Sequence, residues 1–292
     1  MSTGNTEYVA VSWYGRSQED YSNRGVRISF VNMPDNSTST STVTYRHVLL
    51  VDEQLNTFPS MHAGGLASAE DGLIHVPDSR SGTKKVYTFA ISSVLSIPSE
   101  DRSQFYDYAY IMPRQASYDV PITPSFLSYD WTRNKMLVGT FYQCSDYHKD
   151  TEECLSDSNT RLAWYDADTV QSNSPSCQPF FSEMQGAHSS TENSSLVLWS
   201  SSSYGSGHES HLHVTTLDSD QCDSSSSSSL ATGVRSETFR TIVYPPGLED
   251  LHRSGPSSRY FSYLWMVTEF GSKDGTGNSR RVFATEVQAV LP

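Results

Sequence analysis

Short apolar-aromatic runs that end in small or polar residues recur along the chain: YVAVSWYG at 8–15, LIHVPDS at 73–79, KMLVGTFY at 135–142, LVLWSSSSY at 196–204 and YLWMVTEFG at 263–271. Their spacing is about sixty residues, the mark of a repeated architecture. After a polar loop with Gly or Ser, each is followed by a second, alternating run. These are GVRISFVNM from 25, KVYTFAI from 85, TRLAWYDAD from 160, HLHVTTL from 211 and RRVFATEV from 280. Alternation with a period of two is what a half-buried strand requires.

Further strands fit between the pairs. YRHVLLV at 45–51, YDYAYIM at 106–112 and FRTIVY at 239–244 read as outer strands. HAGGLAS from 62, SFLSYD from 125, QGAHSS from 185 and GLEDLH from 247 read as entry strands. Small residues suit an entry strand, because the innermost strands of a propeller crowd around its axis. The pattern therefore predicts an all-β chain: a β-propeller of five blades of four antiparallel strands, with residues 1–292 as one domain. All-β folds of this length commonly form one domain. The chain begins on a second strand and stops after a third. A six-bladed or incomplete propeller and a β-sandwich therefore stay open. The segment ISSVLSIPSEDRSQF from 91 contains Pro98 and reads as a turn or short helix. NSTSTSTV from 36 and SDSDQCDSSSSSSLATG from 218 read as loops.

Net charge is −13, from 33 acidic and 20 basic residues scattered along the chain. That balance argues against nucleic acid as a partner, because phosphate binding needs basic stripes. No run approaches the roughly 18 apolar residues of a membrane helix, so no membrane span is expected.

Two features point to an oxidising compartment. Cys144, Cys154, Cys177 and Cys222 lie in polar stretches without a CxxC, which suits disulfides better than a zinc or redox motif. Asn36-Ser37-Thr38 and Asn193-Ser194-Ser195 are glycosylation sequons. The opening MSTGNTEYVAVSW has neither a basic segment nor an apolar stretch. A secreted glycoprotein whose leader has been removed is the resulting expectation.

The run DYSNRGVRISFVNM, then YRHVLLV, then HAGGL, and the closing LWMVTEFG with RRVFATEV resemble a group of uncharacterised exported bacterial propeller-like proteins. The resemblance implies export and a propeller fold, and no activity. The Ser-rich loops and the lack of a visible leader depart from it.

Propeller chemistry is expected where the entry strands converge, at the central channel. The polar residues there are His62, Thr123, Ser125, Gln185, His188, Glu249, Asp250 and His252. They differ from repeat to repeat, which suits one asymmetric site better than one lectin pocket per blade. His62 and Glu249 are the candidate proton-transfer pair, or the ligands of a divalent metal ion. Gln185, His188, Ser125 and His252 are candidate substrate-binding positions. Glu249 and His252 are three residues apart, which places them on opposite faces of a strand unless the backbone bends.

Two functions remain. One is a hydrolase, lyase or isomerase acting on a small molecule or glycan by acid–base or metal-assisted chemistry. The other is a non-catalytic extracellular module that binds a glycan or a protein. GxSxG, P-loop and EF-hand patterns are absent. His208, His211 and His213 read as a surface cluster. Trp13, Tyr14, Asp20 and Tyr21 read as a sugar-stacking group or as packing between blades.

Overall fold

A computed structural model of the chain describes residues 2–3, 6–14, 25–33, 43–69, 71–80, 82–120, 122–141, 162–166, 176–177, 184–203, 209–217, 239–244, 247–268 and 281–291. These residues are nearly all β, in curled, mostly antiparallel sheets of the propeller type. They fall into two compact units, Met1–Asp119 and Val120–Pro292.

The first unit carries β1 (Ser2–Thr3), β2 (Thr6–Tyr14), β3 (Val26–Asn32), β4 (Tyr45–Val51), β5 (Ala67–Ser68), β6 (Leu73–Asp78), β7 (Lys85–Ala90), β8 (Leu95–Ser96) and β9 (Tyr110–Asp119). Two 3-10 turns, Ile91–Ser93 and Arg102–Phe105, occupy the segment around Pro98. The sequence pattern predicts separate blades here, but the strands form one nine-stranded sheet in the order β1-β2-β3-β4-β9-β7-β6-β5, with β8 beside β9. The joint is β9. Its first residues run parallel to β4, Leu49 facing Ile111, and its later residues run antiparallel to β7, Val86 facing Tyr118. Two causes are visible. No glycine interrupts the strand after Met112, where Pro113, which has no amide to donate, falls at the change of partner from β4 to β7, and Leu49, Val51, Ile97 and Ile111 bury one another at the parallel step. The expected entry strand HAGGLAS shrinks to Ala67–Ser68.

The second unit matches the blade pattern. It contains β10 (Phe126–Asp130), β11 (Lys135–Gly139), β12 (Leu162–Asp166) and β13 (Ser176–Cys177), then β14 (Met184–Glu192), β15 (Ser195–Ser202), β16 (Ser210–Leu217) and β17 (Phe239–Tyr244). A third group is β18 (Leu248–Arg253), β19 (Tyr263–Thr268) and β20 (Val282–Glu286), followed by a single helical turn, α1 (Val287–Val290). Each group is an antiparallel meander in chain order, with the predicted entry strand at one edge. Neither β13 nor α1 is legible in the sequence pattern.

Two apolar layers lie between these sheets. Phe126, Leu137, Leu162 and Trp164 pack on Ala187, Leu196 and Leu198. On the other side of β15, Val197, Trp199, Leu212 and Val214 pack on Leu248, Leu251, Leu264 and Met266. Packing on both faces explains why Leu196–Ser202 is buried without alternation. The β14–β15 hairpin closes through Asn193 and Ser194, with φ of 48° and 70°, as a two-residue turn of the twist that hairpins favour.

Gly186 on β14 packs closely against the backbone of β18. A Cβ there would stand 2.7 Å from the Asp250 Cα and 2.9 Å from its nitrogen. Backbone cannot yield as a side-chain tip can. Gly186→Ala is therefore expected to push β14 and β18 apart and to destabilise the second unit by about 3 kcal/mol, read as a lowered urea midpoint.

Candidate functional site

The second unit brings together five of the polar residues expected at the inner edges. Gln185 and His188 stand on β14, and Glu249, Asp250 and His252 on β18. Both strands are bent at this level. One bulge falls between Met184 and Gly186, the other between Glu249 and Leu251. The second changes the reading of β18. Asp250 is the extra residue, so Glu249 lies opposite Val267 and His252 opposite Trp265. These partners are two residues apart, which puts Glu249 and His252 on the same face. The backbone bend required for the two to act together is present.

The imidazoles are the unusual groups. His188 is 0 % exposed, and among the described residues neither of its ring nitrogens has a hydrogen-bond partner. Its ring lies 5.8 Å from the Trp199 ring and 6.5 Å from that of His252. His252 is half-buried, with its Nδ1 shut off from water and without a hydrogen bond among the described residues. Burial holds the pKa of His188 well below the usual histidine range, helped by the neighbouring His252 ring and the Arg253 charge. Burial likewise lowers His252, to about 4. Both rings are neutral at pH 7. A base that weak moves protons poorly near neutrality, whereas a neutral ring can donate, accept or ligate.

Charged and polar groups brace the junction on either side. Arg253, at the end of β18, pairs with Glu192 at the end of β14 and donates to Ser190 Oγ at 3.2 Å. Its guanidinium also donates to the Phe261 carbonyl at 2.8 Å and lies 4.1 Å from the Phe261 ring. Toward β10, Trp164 Nε1 donates to Ser189 Oγ at 2.9 Å, and Ser189 donates to Asp130 Oδ2 at 2.7 Å. Asp130 Oδ1 accepts from the Thr132 hydroxyl at 2.6 Å and from the amides of Thr132 and Arg133 at 3.0 and 3.2 Å. Asp130→Ala leaves the buried Ser189 hydroxyl and the Thr132 and Arg133 donors without this acceptor. A loss of about 3 kcal/mol is expected, because hydrogen bonds to a charged group are among the strongest; thermal unfolding of the variant measures it. Asp130→Asn should recover part of the loss.

The remaining candidates stand on other segments. His62 belongs to the first unit, precedes β5 and is exposed, and its carbonyl accepts from the Ser79 amide at 2.9 Å. Ser125 sits just before β10, its amide donating to the Gly139 carbonyl at 2.7 Å, and Thr123 accepts from the Thr140 hydroxyl at 2.8 Å. His213 is a structural residue. Its nitrogens bond Ser202 at 2.8 Å and Thr241 at 3.2 Å, and burial lowers its pKa to about 3. Trp13 lies under the Arg27 guanidinium at 5.6 Å. Cys144, Cys154, Cys222, His208, Asp20, Tyr21, the first sequon, and the side chains of Tyr14 and Cys177 fall outside the described residues. Among the described residues no group of three His, Cys, Asp or Glu is placed to hold a metal ion. No described helix is long and apolar enough to cross a membrane.

The bracing residues were legible in principle. Three entry strands of the second unit end on a charged side chain: Asp130, Glu192 and Arg253. This is a repeat of charge at equivalent positions rather than of residue type.

No protein-family model matches the sequence, and no curated protein matches it either. Among solved structures, the chain is similar to Kuenenia stuttgartiensis hydrazine synthase, at 13% identity and a TM-score of 0.41 over 90% of this chain. The chain spans 57% of the length of that one. It is also similar to a Lactobacillus plantarum protein solved as a structural-genomics target, at 10% identity and a TM-score of 0.34, covering 96% of this chain and 67% of that one. Neither likeness bears on activity.

Proposed function

We propose that the chain is an exported ligand-binding protein with one asymmetric site at the β14–β18 junction, taking a small polar molecule or glycan. The observation that carries this reading is the buried His188, with both ring nitrogens unused beside the half-buried His252. Buried polar atoms are nearly always paired, so a cluster of unpaired ones marks a place where something else supplies the partner. Gln185 and Glu249, both half-buried, give the junction neighbouring polar groups. Two neutral rings favour holding a ligand over proton shuttling, which moves the enzymatic reading to second place.

A thermal-shift panel of neutral oligosaccharides and small carboxylic acids tests the reading. At least one class is expected to raise the melting temperature of the wild type and not that of Glu249→Gln or His252→Asn. A panel in which every stabilising compound acts equally on both variants would overturn the site. Asn193 is exposed on its hairpin turn, so expression through a eukaryotic secretory pathway should add one glycan that Asn193→Gln removes.

A further inference from the structure

We propose that His188 and His252 clamp a single monovalent cation of the Cu(I) type between their rings, one nitrogen from each. The inference rests on the reading above that the β14–β18 junction is the ligand site. Its basis is geometric. The two ring centroids are 6.5 Å apart and the planes are inclined at 68°. His188 offers two unpartnered nitrogens and His252 an unpartnered Nδ1. Imidazoles bound to one ion at roughly 2 Å, with each nitrogen about 1 Å from its ring centre, stand about 6 Å apart when the N–metal–N angle is straight, and about 5 Å apart when it is tetrahedral. The observed separation fits the straight arrangement.

Straight two-coordination suits a closed-shell monovalent ion with little geometric demand. Zn²⁺ takes four ligands, and the described residues do not supply a group of three His, Cys, Asp or Glu. Imidazole is a good ligand for copper. The positive charge beside the two rings, Arg253, is already paired with Glu192. The close approach at Gly186 fixes the spacing of the strands that carry the two rings.

Ag(I), a redox-inert probe of the same coordination habit, tests this on the intact chain with its cysteines first capped by iodoacetamide. Native mass spectrometry should count one silver ion. Two-bond nitrogen–proton NMR should show the ring nitrogens of His188 and His252 moving together while those of His75 and His213 stay still. His252→Asn should weaken binding at least about a hundredfold. His252→Met, which keeps a soft donor, should restore much of it and guards against a variant that merely unfolds. Silver bound without movement of these two rings, silver bound equally by the His188→Asn/His252→Asn double variant, or no silver at tenfold excess would each overturn the ion. If saccharides or acids move the two rings and silver does not, the ion fails and the ligand site stands; if neither moves them, both fail.

Discussion

Moving from pH 7 to pH 5 is expected to remove several kcal/mol from the stability of the fold. His75 and His252 are lowered to about 4, His213 to about 3, and His188 is lowered further by complete burial. In each case desolvation of the charged ring is the largest cause. A histidine whose folded pKa is depressed keeps its full stabilisation above the unfolded value, near 6.5. Below that value the unfolded chain takes up the proton and the folded chain does not, so stability falls until pH reaches the folded pKa. The slope is about 1.4 kcal/mol per pH unit for each histidine, and four act over the same window. Domains have only about 5–15 kcal/mol to lose, so acid unfolding near pH 5 is within reach. Urea titrations at pH 7, 6 and 5 measure it. A midpoint that does not fall with pH would mean that these rings are hydrated.

The second large effect belongs to the Arg253–Glu192 pair. Both side chains are largely buried, at 7% and 15% exposure. Glu192→Gln leaves the guanidinium in the interior with Ser190 and the Phe261 carbonyl but no counter-charge. Breaking a buried pair from one side costs about 3–5 kcal/mol, because the surviving charge is desolvated without compensation. Replacing both partners with apolar residues of similar size, as in Glu192→Leu/Arg253→Met, should recover most of that loss. Denaturant unfolding of the single and double variants separates the two cases. If the single variant were as stable as the parent, the pair would be reached by water and would not brace the junction.

Strand positions were legible because alternation and small-residue entry runs directly reflect burial. GLEDLH and QGAHSS, for example, mark β18 and β14 closely. The fused sheet of the first unit was not legible. A parallel step between β4 and β9 depends on which apolar surfaces meet, Leu49 with Ile111, and local pattern does not encode partner choice. The grouping of the site was half legible. Entry-strand position alone picks out Gln185, His188, Glu249 and His252. The shared face of Glu249 and His252 depends on a bulge at Asp250, and a strict two-residue period predicts the opposite. Chemistry alone pairs His62 with Glu249, and the fold puts His62 in the other compact unit, on an exposed, irregular segment. Asp130, Glu192 and Arg253 escape a reading of the pattern because charged residues at strand ends usually face water, and these face one another or a buried hydroxyl.

The most direct test of the central claim is histidine-ring NMR of the intact chain, titrated with whichever saccharide or small acid stabilises it most. The account predicts that the ring nitrogens of His188 and His252 shift together while those of His75, His213 and His62 hold still. Movement of His62 alone, or of rings other than His188 and His252, would contradict it and would place the ligand away from the β14–β18 junction.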